Sequence, residues 1–273
     1  MEPTISGEFD AWARRGAGPK MEEAHSYAGK QVLDRITLGY DQSFIDLGTG
    51  NGWAVRYIAE RVPTIGLCVG VDASAEFVNE ARRTAAGKYP VKFIHSAIEE
   101  IPFGEGSFDR AFSMEALYYA KEPLVALKSI WRVLKPRGTF HMVIDFYAEN
   151  AVSKRWQEGI ATPMHFLSQP QWVDLFEGAG FAKVSAERVL DERPIPGEMQ
   201  FPWGGFNSRE ELEQFRTKVG SLLVSGTKGE FSRAMDPFME RAAAALAKES
   251  AQKGAGDARA PRAKAPRFSR RKA

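Results

Sequence analysis

Short apolar runs alternate with longer stretches of helical periodicity through the central part of this 273-residue chain. Each short run is typical of a buried strand, whereas apolar residues between the runs recur at spacings of three and four, as in Val55, Ile58 and Val62. Strands that alternate with helices predict a parallel sheet with helices on both faces. The predicted strands span residues 44–47, 67–72, 91–95, 110–115 and 139–145.

The pattern changes on both sides of this core. A helical stretch precedes the first strand, and Ser168 with Gln171 predicts a capped helix start after an irregular segment. Further strands are expected near 181–184 and 221–225. The expected divisions are an N-terminal helical lid (1–40), a central α/β domain (41–230) with insertions at about 146–167 and 191–217, a C-terminal helix (231–252) and a disordered basic tail (253–273).

Composition and charge limit the kind of protein that this chain can be. The hydrophobic share of 44% is ordinary for a globular protein, and no apolar stretch is long enough to span a membrane. One cysteine, Cys68, excludes an internal disulfide, and the N-terminus lacks a basic and apolar leader, so we expect a cytoplasmic protein. Residues 253–273 carry a net charge of +7 against −5 for the rest. This tail suits a nucleic-acid partner, although a solvated extension is favoured.

A glycine-rich segment follows the first predicted strand and carries the main chemical signal. Its sequence is Asp46-Leu-Gly-Thr-Gly-Asn-Gly52, with glycine at every second position before a helix. Glycine tolerates positive φ and lets a flat ligand approach the backbone. The acid precedes the glycines and no P-loop lysine follows, which favours a nucleoside ligand with a positive group over a pyrophosphate. Asp72 ends the second strand, where a carboxylate meets ribose hydroxyls.

The order of these segments resembles the class I S-adenosylmethionine-dependent methyltransferases, in particular their methyltransferase type 11 or UbiE-like small-molecule branch. The resemblance covers roughly residues 40–190 and includes the loop from Ser96, the strand ending at Glu115 and the turn Lys135-Pro-Arg-Gly138. It implies a Rossmann-like, seven-stranded, mostly parallel sheet with helices on both faces. It also implies that the seventh strand is antiparallel and lies between the fifth and the sixth.

The resemblance implies S-adenosyl-L-methionine as cofactor and S-adenosyl-L-homocysteine as product. Asp46 then faces the methionine amino group, directly or through water, or else caps the glycine loop. Many family members have Asp where this chain has Ser96, whose hydroxyl can still accept a bond from the adenine amino group. The expected cofactor-binding residues are Asp46, Gly48, Thr49, Gly50, Asp72, Ala73, Ser96, Ala97, Ile98, Glu115 and Tyr118.

Catalytic residues are harder to predict because the reactivity of such an enzyme resides in the cofactor. Glu115 ends the fourth strand and either orients or deprotonates the acceptor or contacts the cofactor's amino-acid end. Tyr118 lies beside the sulfonium or packs in the core. His25 and His165 are candidate bases or acceptor contacts, since the resemblance implies that their segments fold over the cleft. The histidine spacing matches no metal motif, so no metal is expected.

The preferred function is methyl transfer by in-line displacement to a small-molecule acceptor. One alternative is a methyltransferase of nucleic acid or protein that uses the basic tail; others are a non-catalytic cofactor-binding protein and an NAD-type dehydrogenase. Amino-methylating DNA enzymes of the family have an Asn/Asp-Pro-Pro-Tyr/Phe segment where this chain has Ser113-Met-Glu-Ala116. The sequence predicts no membrane partner and no particular oligomeric state.

Overall fold

A computed structural model describes residues 5–229, and within them seven strands form one mixed sheet. Their spatial order is β3-β2-β1-β4-β5-β7-β6, with β7 antiparallel to both of its neighbours. The predicted fold class and the insertion of an antiparallel seventh strand are therefore confirmed. In chain order the strands are β1 (Ser43–Leu47), β2 (Leu67–Asp72), β3 (Val91–His95), β4 (Phe108–Met114), β5 (Leu134–Ile144), β6 (Phe181–Val189) and β7 (Ser221–Lys228).

Helices cover both faces of this sheet. Side chains of successive strand residues point to opposite faces, and Phe44 and Ile45 of β1 accordingly belong to two different apolar clusters. The helices are α1 (Ile5–Arg14), α2 (Gly18–Leu33), α3 (Trp53–Arg61), α4 (Ala75–Ala85), α5 (Pro123–Val133), α6 (Gln169–Gly178) and α7 (Arg209–Gln214). The cluster of Phe44 includes residues of α2, α3 and α4, and the cluster of Ile45 includes residues of α5 and α6.

Several local predictions agree with these elements. Ser168 and Gln171 form the expected capping box at the start of α6, and Ser208 caps α7. Cys68 is buried in β2 as a free thiol. The C-terminal helix (231–252) and the basic tail (253–273) expected from the sequence lie outside the described residues.

The topology brings one end of each central strand to a common edge. Leu47 of β1 pairs with Val71 of β2, and Met114 of β4 pairs with Val143 of β5, all in parallel register. The loops that follow these four strands therefore emerge side by side. In open α/β sheets this carboxyl edge, where the chain order reverses, is where ligands bind.

His141, in the middle of β5, makes stability depend on pH. Its ring nitrogens contact the hydroxyls of Ser225 (2.8 Å) and Thr139 (3.1 Å). Burial, and then the charge of Arg110, lowers the pKa of His141 to about 4. In the unfolded chain the pKa is near 6.5. Protonation therefore favours unfolding as the pH falls below 6.5, and the full contribution of neutral His141 is present only above that value.

We expect the glutamine variant His141→Gln to lose less stability on acidification than the wild type. Between pH 7 and pH 4.5, the free energy of unfolding of the wild type should fall by about 2 kcal/mol more than that of the variant. Each unit of pKa shift corresponds to about 1.4 kcal/mol. Urea unfolding of both proteins at several pH values measures it. Parallel declines of the two proteins would contradict a role for His141.

Candidate active site

A cavity of about 810 Å³ lies over the carboxyl ends of β1, β2 and β4. The glycine loop after β1 forms part of its wall, and residues of α1, α2 and the segment after β5 form other parts. The segments meet here because the parallel strands end at this edge. The sequence-predicted residues in the wall are His25, Gly48, Thr49, Gly50, Asp72, Ala73, Ala97, Ile98, Glu115 and His165.

The glycine loop presents bare backbone to the cavity. Gly48 has φ +73°, and a Cβ there would lie 2.2 Å from the Cβ of Ala116. Gly50 has φ +52°, and a Cβ there would meet no atom within 4 Å. A Cβ on Gly52 would lie 2.6 Å from the ring of Phe93, so this third glycine serves packing. The space beside Gly50 is therefore open for a ligand that lies against the main chain.

Asp72 forms the part of the cavity wall next to the glycine loop. One of its carboxylate oxygens accepts from the Gly50 N–H (2.7 Å) and the other from the Ser74 N–H (2.8 Å). Burial raises the pKa of Asp72 to about 6, although these two backbone bonds oppose the shift. Each carboxylate oxygen keeps a free lone pair, so Asp72 can accept two further bonds from ligand hydroxyls. The helix-capping role belongs to Ser74, whose hydroxyl accepts from the Phe77 N–H.

Asp46 lies beneath the loop and outside the cavity wall. It is 2% exposed, and one carboxylate oxygen accepts from the Thr49 hydroxyl at 2.6 Å. Burial, with a smaller contribution from the charge of Asp72, raises the pKa of Asp46 to about 7, and the bond from Thr49 opposes this shift. Asp46 therefore caps the loop, which was the alternative role, while its contact with the methionine amino group stays a prediction.

Two other residues expected to contact the cofactor, Ser96 and Tyr118, lie outside the cavity wall. The Ser96 hydroxyl donates to the Glu100 carbonyl (2.8 Å), which holds the loop, and Ser96 is absent from the cavity wall. Tyr118 is also absent from the wall, because the 3₁₀ turn Leu117–Tyr119 directs its hydroxyl to Glu115 at 2.7 Å. Tyr119 lines the cavity instead and packs edge-on against Phe9.

A cluster of titratable groups forms at the cavity where β4 and β5 end. The two carboxylate oxygens of Glu115 accept from the Asp145 N–H and the Tyr118 hydroxyl. His25 approaches from α2, with Nδ1 3.7 Å from Oδ2 of Asp145. Burial and the charge of Asp145 raise the pKa of Glu115 to about 8, although His25 opposes this. Burial lowers the pKa of His25, but attraction to Asp145 and Glu115 outweighs it, and the net shift is upward.

Asp145 was not among the predicted site residues. It follows β5 directly, in the same position relative to its strand as Glu115 has after β4. An acid at the end of a parallel strand was the signal that identified Asp46 and Asp72, and it applied to Asp145 equally. His165 lies elsewhere in the cavity wall, with Nε2 3.0 Å from the Ala120 carbonyl oxygen.

Helix α1 is tied across the cavity by two acidic residues that the sequence did not reveal. The Glu8 carboxylate accepts from the N–H groups of Ala161 (3.1 Å) and Thr162 (2.8 Å). Asp10 accepts from the Ser74 hydroxyl at 2.6 Å. Hydrogen bonds to Glu8 hold its pKa below the usual range in spite of partial burial. Helix α1 is thus joined to both the segment after β5 and the start of α4.

The variant Glu8→Gln should loosen this connection. An amide oxygen is a weaker acceptor than a carboxylate for two backbone N–H groups. We expect severalfold faster amide hydrogen exchange at Ala161 and Thr162, and faster dissociation of S-adenosylhomocysteine, than in the wild type. Glu187→Gln is the control, because Glu187 pairs with Arg35 at an exposed site. Equal rates of amide exchange at Ala161 and Thr162 in the two variants would show that Glu8 does not hold helix α1 to this segment.

Comparison with known proteins gives consistent matches. Residues 45–142 match the family model described as "Methyltransferase domain". The chain is 24% identical to cycloartenol-C-24-methyltransferase 1 of Oryza sativa subsp. japonica, over 88% of this chain and 74% of that protein. It is 30% identical to demethylmenaquinone methyltransferase of Staphylococcus aureus, over 42% of this chain and about half (48%) of that protein.

A solved structure agrees over a longer stretch. It is described as the complex between the Haloferax volcanii Trm112 methyltransferase activator and the putative methyltransferase. The match has a TM-score of 0.75 and 33% identity, and it covers 83% of this chain and all of that one (100%). Together with the fold and the glycine-loop cavity, these matches show that the chain belongs to the class I S-adenosylmethionine-dependent methyltransferases. It is an enzyme of methyl transfer that uses S-adenosyl-L-methionine.

The cavity suits this cofactor chemically. Asp72 has acceptor capacity for ribose hydroxyls, the backbone at Gly50 is open, and Ala97 and Ile98 give an apolar surface for a base. None of the helices within residues 5–229 combines the length and the apolarity that crossing a membrane requires.

Proposed function

We propose that this enzyme methylates a small-molecule acceptor that binds beside the cofactor in the same cavity. The observation that carries the proposal is the covered shape of the site. Helix α1 is hydrogen-bonded to Ala161 and Thr162, and Thr162, Pro163 and His165 line the cavity on that side. A volume of about 810 Å³ lies within the range typical of small-molecule sites. A polymer substrate would need an open groove in place of this connection.

The names of relatives support a small acceptor. Cycloartenol and demethylmenaquinone, which appear in the names of two of them, are small molecules. The cavity wall is compatible with a partly apolar acceptor, because Met21, Ile5 and Tyr119 line it together with the polar cluster.

In the proposed arrangement, Asp72 binds the ribose, Gly48 and Gly50 lie under the cofactor, and Ala97 and Ile98 contact the adenine. When bound, S-adenosylmethionine supplies a methyl group on a positively charged sulfur. The enzyme's own contribution is to orient the acceptor and exclude water; correct positioning alone accounts for roughly 7–11 kcal/mol of such barriers. His25, Glu115 and His165 are among the polar groups of the wall that remain for the acceptor.

A second candidate is methylation of nucleic acid or protein, supported by the net charge of +7 in residues 253–273. Deleting these residues distinguishes methylation of a small molecule from methylation of a nucleic acid or protein. Unchanged binding of S-adenosylhomocysteine and unchanged turnover of a small acceptor support our proposal. Loss of turnover on a polymer alone supports the second. We also propose a cytoplasmic location, which the single buried thiol, Cys68, supports.

The proposal is tested in two steps. Calorimetry compares S-adenosylhomocysteine with NAD, and only the sulfur nucleoside should bind. Cofactor with a radiolabelled methyl group is then incubated with the low-molecular-mass filtrate and with the dialysed macromolecular fraction of a cell extract. Label transferred by the wild type to the filtrate alone supports a small acceptor. Label transferred to the macromolecular fraction alone would overturn the proposal.

A further inference from the structure

We propose that His25, Glu115 and Asp145 form a binding site for a divalent transition-metal ion at the wall of the cavity. Each residue offers one ligand atom, and the three atoms all lie within 4.8 Å of one another. They come from three separate segments: α2, the turn after β4 and the loop after β5. This inference goes beyond the proposed function, since methyl transfer by itself needs no metal.

Two atoms of the cluster lack the hydrogen bonds that their burial calls for. Nδ1 of His25 and Oδ1 of Asp145 are buried without a partner, and Asp145 as a whole is only 8% exposed. Nearly all buried polar groups in proteins are hydrogen-bonded, so unpaired ones need an explanation. Two such atoms in one cluster of potential ligands point to a shared partner.

The separation of one pair of ligand atoms is close to the separation that a shared ion requires. Nδ1 of His25 and Oδ2 of Asp145 are 3.7 Å apart, which is too far for a hydrogen bond. Ligands that each lie about 2.0–2.2 Å from one ion are roughly 3–3.5 Å from each other. A shift of a few tenths of an ångström would bring this pair to that separation.

The surrounding contacts hold the carboxylates in place. Both oxygens of Glu115 accept one bond, from the Asp145 N–H and the Tyr118 hydroxyl, and each keeps a lone pair for an ion. The Asp145 carbonyl accepts from the Asn150 side-chain amide at 2.8 Å. Such hydrogen bonds around the ligands orient metal sites in general.

The negative charges of Glu115 and Asp145 also favour a divalent cation at this site. When both are ionised, two carboxylates this close repel each other strongly in a low-dielectric environment, and a dication between them converts this repulsion into attraction. Within residues 5–229, the structure gives neither carboxylate an ion pair with Lys or Arg. His25 is the basic group beside them.

The ligand set indicates the class of ion. Imidazole nitrogen suits zinc, iron and related ions, whereas carboxylates also suit manganese. One nitrogen and two carboxylates therefore favour Mn²⁺ or Zn²⁺ over Ca²⁺. Three protein ligands leave coordination positions open, as in catalytic sites. His25 and Glu115 line the cavity, so those positions would take water or, if the proposed function holds, an oxygen of the acceptor.

The test uses metal-stripped, full-length protein and Mn²⁺ or Zn²⁺ alone. Loss of the free Mn²⁺ electron paramagnetic resonance signal measures binding, and competition by Zn²⁺ shows that both ions share one site. We expect one ion per chain. His25→Gln and Asp145→Asn should each weaken its binding by at least about tenfold. His95→Gln and Asp109→Asn are matched controls outside the cluster and should bind as the wild type does.

Binding of S-adenosylhomocysteine reports separately on folding and on the cofactor site. A variant that binds this nucleoside normally and has lost the ion supports the metal site. The proposal is overturned if the wild type binds neither ion, or if His25→Gln and Asp145→Asn bind the ions as tightly as the controls. Neither result would affect the proposed methyl transfer to a small acceptor.

Discussion

Replacing Asp72 by asparagine is expected to weaken binding of S-adenosylhomocysteine by roughly 100-fold. Asp72 lines the cavity, and its two oxygens keep free lone pairs beyond their bonds to the Gly50 and Ser74 N–H groups. A hydrogen bond to a charged group contributes about 1.5–3 kcal/mol, and the neutral amide offers the ribose only one acceptor oxygen. Calorimetry above the raised carboxyl pKa of about 6 measures the change with the wild-type group ionised.

Asp109→Asn is the matched control for this experiment. Asp109 also accepts bonds from a backbone N–H and from side chains, those of Ser43 and Lys135, but it does not line the cavity. We expect this variant to be destabilised while its folded form binds the nucleoside normally. If Asp72→Asn bound as tightly as Asp109→Asn, Asp72 would not contact the ribose.

Adding one methyl group at Gly50 should reduce nucleoside binding by roughly 30- to 100-fold. A Cβ at this position meets no protein atom within 4 Å, so it projects into the space that we assign to the cofactor. Forcing extra carbon into an occupied space costs about 1–3 kcal/mol. The loop cannot easily retreat, because the Gly50 N–H is bonded to Asp72. Calorimetry with S-adenosylhomocysteine measures the loss in the variant Gly50→Ala.

Gly87→Ala separates this steric effect from backbone strain. Gly87 has φ +69° and, like Gly50, no protein atom within 4 Å of an added Cβ, but it lies outside the cavity. Both variants should lose a similar 1–2 kcal/mol or so of stability, the cost of a left-handed conformation for a residue with a Cβ. Only Gly50→Ala should lose affinity for S-adenosylhomocysteine. Equal affinities of the two variants for this nucleoside would mean that no ligand lies against the glycine loop.

Local patterns were sufficient to predict the elements that form the cofactor part of the site. The apolar runs, the alternating glycines after Asp46 and the acid that ends β2 are each encoded within a few neighbouring residues. The resemblance to a family added the antiparallel β7, which periodicity alone does not determine. The glycine loop and the acid that ends β2 both lie at the carboxyl edge of a parallel sheet. The alternation of strands and helices in the sequence is sufficient to predict that sheet.

Side-chain direction within short turns was not predictable. Tyr118 and Tyr119 are neighbours of the same type, and only the phase of one 3₁₀ turn sends Tyr118 to Glu115 and Tyr119 to the cavity. The Ser96 hydroxyl donates a hydrogen bond to the carbonyl of Glu100, four residues further along the chain. Hydrophobic periodicity gives no information about such a bond. A shift of one residue in such turns reverses which side chain reaches a ligand.

Long-range contacts were equally hidden. Glu8 meets the backbone of Ala161 and Thr162, and His25 approaches Asp145, across more than a hundred residues in each case. The metal site proposed at His25 matches no sequence motif for the same reason, because its ligands come from three segments. Only the folded sheet brings these residues together.

A crystal structure of the full-length enzyme with S-adenosylhomocysteine tests the central claim most directly. We predict that both ribose hydroxyls donate to the Asp72 carboxylate at about 2.7 Å and that the nucleoside lies against the backbone of Gly48 and Gly50. A nucleoside bound elsewhere, or one whose ribose leaves the Asp72 carboxylate without a ligand contact, would contradict the account.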